Sequence, residues 1–289
     1  MGLFKFGVNL FLWTAAFTKD TLNLLPKVAE LGFDGVEIPI DLIEQIDVKG
    51  TKKLLDSTGL ASCCCGVLGS SRDLISEDSV VRENAKNYIK TCIEVAAQWG
   101  SDVFCGPLYS AVGKLVGRGR TQQEWDLCVR ELFHLGEHAG NYGVTLAIEP
   151  LNRFETYFLN TVEDAIKLVK EINHPNVKVH LDTFHMNIEE KNFYDAVKSA
   201  GEFLFHMHCS DNDRGIPGTG HVDWNGIFKG LGEIKYGRWL VIETFVPGIK
   251  EIAKAAAIWR PIAPSSDVIA TEGLKFLRAQ VGKSIHSSA

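Results

Sequence analysis

The chain is expected to fold as one α/β domain over residues 1–289, a single (β/α)8 TIM barrel. Three observations predict this. Eight short apolar runs alternate with longer amphipathic runs, and eight strands each followed by a helix are what a closed barrel needs. The length of 289 residues is ordinary for one such domain. Four consecutive apolar runs end on one metal-type ligand each: VTLAIE on Glu149, VKVHLD on Asp182, FLFHMH on His208 and WLVIE on Glu243.

The elements follow in order. Lys5–Leu12 reads as the first strand, since Lys5 and Asn9 interrupt its apolar run and no small-residue cleavage site follows. In ELGFDGVEI a helix ends near a glycine and the chain enters the second strand, Gly35–Ile38. The third strand, Ala61–Val67, carries Cys63, Cys64 and Cys65, whose side chains must alternate between faces and are poorly placed to bridge. Residues 80–99 set Ala85, Ile89, Cys92, Ile93 and Ala96 at helical spacing, with charges elsewhere. Asp102–Gly106 is the fourth strand, 122–140 a helix and Val144–Glu149 the fifth strand. Thr161 caps a helix over 162–172, where Glu163 and Asp164 suit the positive helix end. Val177–Asp182, Leu204–His208 and Trp239–Glu243 complete the eight.

Long loops follow the fourth, seventh and eighth strands, all at the end where such barrels keep their active sites. The last of them is expected to hold a short extra helix stopped by Pro261, and the tail KSIHSSA is expected to fray.

Composition narrows the function classes. The net charge is −6, and no dense Lys/Arg stripe appears. Phosphate-backbone binding needs clustered cations, so nucleic acid is not the expected partner, and neither is an anionic membrane surface. No run has the roughly 20 apolar residues of a membrane span. Seven cysteines, an odd count without a secretory signal, fit buried thiols in a cytoplasmic protein.

One charged residue where a strand becomes a loop is usually just the first solvated position. Four on successive strands, 26 to 35 residues apart, converge on one end of a barrel. Three carboxylates packed together repel unless a cation sits among them. Carboxylate-rich ligation with one imidazole suits Mn2+, the favoured ion, with Co2+ or Mg2+ as alternatives. Around these ligands Glu155, His185 and Arg214 offer donors and acceptors for hydroxyl groups, so the site reads as a pocket for a polyhydroxylated carbonyl compound. Trp13, Leu108, Tyr109 and Phe245, each just past a strand, are candidates for an apolar wall at the sugar's far end.

The segments EPLNRFE, LDTFHMNIEE and RGIPGTG resemble those of the ketose 3-epimerases, the D-tagatose and D-psicose (D-allulose) 3-epimerase group, within the xylose-isomerase-like TIM barrels. The resemblance runs from ELGFDGVEI to IWR at Ile258–Arg260. It implies metal-dependent epimerisation of free ketoses at C3, of the D-tagatose, D-psicose/D-fructose or L-ribulose type. Glu149, Asp182, His208 and Glu243 would be metal ligands, and Glu155, His185 and Arg214 would hold the sugar near C1 and C2. A homodimer or homotetramer is also implied. Inverting C3 needs a proton removed from one face and returned to the other. Glu149 and Glu243 are expected to serve as that pair through a cis-enediolate, so no organic cofactor is required.

The chain departs from the family pattern at Ser210-Asp211 after the histidine ligand, at Thr244 after Glu243 and at Pro150 after Glu149. Related sugar or hydroxypyruvate isomerases on the same barrel share the enediolate step and are the main alternative. A sugar phosphate would need free cations, which Lys114, Arg118 and Arg120 could supply. A metal-dependent nuclease would need more ligand histidines and a basic groove. A sugar-binding barrel without catalysis would have no use for the acid/base pair.

Overall fold

The computed structural model describes residues 4–286. Eight parallel strands close in sequence order: β1 (Lys5–Asn9), β2 (Gly35–Pro39), β3 (Ala61–Cys65), β4 (Val103–Gly106), β5 (Thr145–Ile148), β6 (Val177–Asp182), β7 (Leu204–Cys209) and β8 (Trp239–Ile242), with β8 pairing back onto β1. The helices are α1 (Leu24–Glu30), α2 (Val48–Thr58), α3 (Ser79–Trp99), α4 (Gln122–Asn141), α5 (Val162–Ile172), α6 (Thr183–Glu189), α7 (Phe193–Ala200), α8 (Trp224–Glu233), α9 (Lys250–Ala255) and α10 (Ser266–His286). All eight expected strands form, so the barrel is the architecture the alternation predicted. The first strand is shorter than expected, because Asn9 turns the chain: its side chain accepts from Phe11 N and caps a 3-10 turn over Leu10–Leu12.

Two apolar clusters form. The larger lies between strands and helices; the smaller fills the barrel's inside and includes Cys63, Cys65, Cys105, Ala147, Trp239 and Val241. Cys63 and Cys65 face inward while Cys64 joins the outer cluster, the alternation expected of a strand. All seven cysteines are buried and unbridged. Trp239 fills the base of the barrel, with the Lys5 ammonium 5.2 Å from its ring centroid. It fits because position 35 is glycine: a Cβ there would stand 2.4 Å from the indole.

One irregularity sets the geometry of the site. Val179 pairs with Leu204, but His180 pairs with His206, so β7 spends one extra residue, Phe205. The bulged Phe205 carbonyl accepts from Arg238 Nε at 3.1 Å, and the Arg238 guanidinium stacks 3.4 Å from the Phe205 ring centroid. Beyond the bulge Asp182 pairs with His208, which brings the side chains of these two strands level.

Two terminal expectations change. The helix after β8 ends at Ala255, well before Pro261. Ala257 takes a left-handed φ of 55°, and Ile258 N donates back to Ala253 O at 2.9 Å, a Schellman-type stop made with alanine. The tail does not fray at Lys283 but continues α10 to His286; the last three residues lie outside the described ones, as do residues 1–3. Among the described residues no helix is long and apolar enough to cross a membrane.

Candidate active site

The four strand-end candidates converge. Ligand atoms of Glu149, Asp182, His208 and Glu243 all lie within 4.8 Å of one another at the C-terminal end of the barrel. Glu149 and Glu243 stand one residue past β5 and β8, Asp182 ends β6, and His208 is in β7. Asp182 also caps α6, accepting from Phe184 N at 2.8 Å. That capping fixes the carboxylate's orientation, and the same turn brings His185 beside it, with Nε2 3.8 Å from both Asp182 Oδ2 and Glu149 Oε1.

Arg214 enters from the loop after β7. Its Nη1 donates to Asp182 Oδ2 and, at 2.7 Å, to Glu243 Oε2. The guanidinium lies between the rings of Phe184 and Phe245, 4.3 and 5.0 Å from their centroids. Its backbone takes φ 64°, a costly conformation for a non-glycine residue. The loop imposes it through Asp211, whose carboxylate accepts from Asn212 N, Gly218 N, Val222 N and Trp224 Nε1. Asp211, one of the departures from the family pattern, therefore organises the loop that aims Arg214, and Arg214 pairs with neither Asp211 nor Asp213.

Both ring nitrogens of His185 face donors: Nδ1 accepts from Asn152 N at 3.0 Å, and the other is Nε2. Nε2 faces Glu149 and lies 3.0 Å from Arg214 Nη2. Glu155 is anchored by Asn152 Nδ2 at 2.8 Å. Glu149, Glu155, His185, Arg214, Glu243 and Phe245 all line one cavity of about 380 Å³, the size of a small-molecule pocket.

The remaining wall residues lie elsewhere. Leu108 and Tyr109 are fully buried in the outer cluster. The chain turns inward after Gly106 (φ 130°, where a Cβ would meet Gly66 O at 2.3 Å), and Tyr109 OH donates to Glu149 O at 2.9 Å. Tyr109 therefore supports the backbone of Glu149 from behind. Trp13 points away: its Nε1 donates to Asp267 at 2.7 Å, and Lys27 covers its ring. The apolar wall comes instead from Phe11, Ile40, Val67, Leu151 and, on α9, Ile252, with Phe245. Lys114, Arg118 and Arg120 are each paired, with Asp73, Glu124 and Asp164, and do not reach the cavity.

Sequence reading missed a second polar layer, one step deeper in the barrel. Asn9, Glu37, His180 and His206 are 0 % exposed. His180 and His206 sit two residues before Asp182 and His208, hence on the same inward face; that spacing was the available signal. Glu37 accepts from His206 Nε2 at 2.6 Å and His208 Nε2 at 2.7 Å. Asn9 Nδ2 joins Glu37 at 2.7 Å to Glu243 at 3.4 Å.

The electrostatics separate the carboxylates. Burial, with Glu243 and Asp182 nearby, pushes the Glu149 carboxyl well up despite His208 and Arg214. Burial also acts on Glu243, but His208 and Arg214 outweigh it and hold that carboxyl down. Burial raises Asp182 and Glu155 and lowers His185. His208 goes up even though burial opposes it, because Glu37 and Glu243 flank the ring.

A divalent cation fits this donor set. His208 Nδ1 is buried, makes no hydrogen bond and lies 3.3 Å from Glu243 Oε2, where the carboxylates crowd. Three acids and one imidazole form an oxygen-rich set suited to a hard cation.

The comparisons with known proteins agree with this fold. Residues 25–280 match the family model described as xylose isomerase-like TIM barrel. A probable ketose 3-epimerase from Synechocystis sp. is 35% identical over 275 residues, covering 95% of this chain and 96% of the relative. The crystal structure of D-allulose 3-epimerase from Methylomonas sp. in complex with D-allulose superposes with a TM-score of 0.90 at 28% identity, covering 97% of this chain and 98% of that one. D-psicose 3-epimerase with D-tagatose from Clostridium cellulolyticum H10 gives a TM-score of 0.90 at 30% identity, covering 96% and 99%.

Proposed function

We propose that the chain, which belongs to the xylose isomerase-like TIM barrels and within them to the ketose 3-epimerases, is a cation-dependent enzyme that inverts C3 of free ketoses by proton transfer between two glutamates. The observation that carries this reading is the joining of Glu149 and Glu243 in one four-ligand set, on a cavity also lined by Glu155, His185 and Arg214. A lone ligand set would serve many reactions. A ligand set whose two glutamates come from β5 and β8 serves one that needs a base and an acid on different sides of a carbon.

Glu149, Asp182, His208 and Glu243 would hold the cation, with Mn2+ favoured over Co2+ and Mg2+. When bound, it supplies a Lewis acid that draws charge toward the sugar's C2 carbonyl oxygen. The chain's own groups do the rest. One glutamate takes the proton from C3, and the other returns one to the opposite face. Glu149 and Glu243 come from β5 and β8, so they reach the carbon from different strands. The epimer bound decides which does which. Arg214, with His185 beside it, would add hydrogen bonds where oxyanion charge develops at C2. Glu155, held by Asn152, accepts from a hydroxyl near C1.

The free sugar is favoured over a sugar phosphate because Lys114, Arg118 and Arg120 are already paired. A homo-oligomer and a cytoplasmic location remain part of the proposal. The test is turnover of D-tagatose, D-psicose, D-fructose and L-ribulose in D2O with Mn2+. Deuterium confined to C3 is expected; label at C1 would move the enzyme to the aldose–ketose isomerases.

A further inference from the structure

Glu37 is a buried carboxylate with no part in the proposed reaction. It sits in the middle of β2, is 0 % exposed, and lies below the ligand set. Four donors converge on it: His206 Nε2 (2.6 Å), His208 Nε2 (2.7 Å), Asn9 Nδ2 (2.7 Å) and Cys105 Sγ (3.3 Å). An ionised carboxylate has room for about four such donors, so Glu37 is saturated. Burying a charge is costly, and a strand interior would accept an apolar residue with less penalty.

What Glu37 does is visible in His208. A neutral imidazole carries one proton, and a carboxylate facing Nε2 draws that proton to Nε2. The other nitrogen, Nδ1, then presents a lone pair; it makes no hydrogen bond, lies 3.3 Å from Glu243 Oε2 and is grouped with Glu149 and Asp182. His206 has the same arrangement, Nε2 on Glu37 and Nδ1 without a hydrogen bond, but it is not among the residues grouped with Glu149, Asp182 and Glu243. His206 thus serves as the second anchor that keeps Glu37 from rotating. Asn9 ties the same carboxylate to Glu243.

We propose that Glu37 is the positioning residue of the cation centre: it fixes His208 in the Nε2–H form, aims Nδ1 at the cation, and is itself held by His206 and Asn9. This rests on reading Glu149, Asp182, His208 and Glu243 as a cation site.

The test is Mn2+ binding to the metal-free protein, with the unbound ion counted by its electron paramagnetic resonance signal and no sugar present. Glu37→Gln keeps the shape, but its amide can accept from only one of the two facing imidazoles. The other ring must then move its proton to Nδ1, and the negative charge is gone. Mn2+ affinity is expected to fall about 10- to 100-fold, the range for losing a carboxylate behind a metal-bound histidine. An affinity within twofold of the native chain, with or without a lower melting temperature, would overturn the proposal. A native chain that fails to bind Mn2+ would overturn the cation reading as well, so the two failures are distinguishable.

A second measurement needs no variant. In the native protein labelled with 15N-histidine and loaded with Zn2+, His208 is expected to show a slowly exchanging proton on Nε2. A proton on Nδ1 would overturn the proposal even if Glu37→Gln did not fold.

Discussion

Glu37 and Glu149 are the same residue type inside the same barrel, and burial presses on both carboxyls more than anything else, yet they shift in opposite directions. Glu37 goes well down because His208 and His206 face it. Glu149 goes well up because Glu243 and Asp182 add like charge, and His208 and Arg214 do not offset burial. Glu37 in the lower layer is saturated with hydrogen bonds; the upper layer holds three acids against one arginine. A fully partnered carboxylate fixes position, while an under-partnered one is left free to bind a cation and move protons.

The largest effect should come from the upper layer. Glu149→Gln and Glu243→Gln are each expected to lower turnover by at least about 10²- to 10⁴-fold, the usual worth of a positioned acid or base. Circular dichroism should stay unchanged. Near-normal turnover in both would break the contrast between the layers.

Next comes removal of the cation. EDTA should inactivate the enzyme, and Mn2+ or Co2+ should restore it. At about 100 times its dissociation constant the ion should also stabilise the fold by roughly 2.7 kcal/mol, read as a rise in melting temperature. Full activity in a rigorously metal-free sample would sink the reading.

A pair of melting curves tests the layers against each other. In metal-free protein Glu37→Gln should cost about 1–3 kcal/mol, since it strands a buried donor. Glu149→Gln should cost nothing, or stabilise by up to about 1 kcal/mol, because it removes a like charge. Equal losses would mean that the upper layer is not in conflict.

The smallest effect lies outside both layers. Glu124, at the start of α4, accepts from Thr121 N at 2.7 Å, Arg118 and Tyr157 OH. Burial works against its charge, but Arg118, Thr121 and Tyr157 prevail and hold the carboxyl down to about 2. A folded pKa below the unfolded one contributes stability above about pH 4.5, lost as the pH falls toward about 2. Discounted for solvent screening, Glu124→Gln should cost about 1 kcal/mol at pH 7. The gap between variant and native should narrow by pH 3.5; a gap independent of pH would assign the loss to the helix cap alone.

Much of this was legible in the residues. The eight strands show as apolar runs, and α5 has the expected bounds of 162–172 because Thr161 and Asn173 mark its ends. The four ligands are legible because a charge ending an apolar run stands out. Asn9, Glu37, His180 and His206 are not, because a lone polar residue inside an apolar run still reads as strand. The cavity wall was legible only at Phe245. Being next to a strand end does not say which way a loop turns, and Gly106 turns Leu108 and Tyr109 into the core. Ile252 reaches the cavity from a helix whose early stop at Ala257 has no glycine to announce it.

The bulge at Phe205 has a consequence for editing the gene. Along a strand, sidedness is a matter of odd and even, and β7 changes its parity at Phe205. Removing that one codon would set Leu204 and His206 in consecutive register opposite Val179 and His180, keep His206 and His208 on the inward face, and take away the ring and carbonyl that hold Arg238. Point substitutions in this stretch alter a contact. A deletion at Met207, by contrast, would make His206 and His208 neighbours and so put them on opposite faces, which makes the spacing between the two histidines as much a part of the site as the histidines themselves.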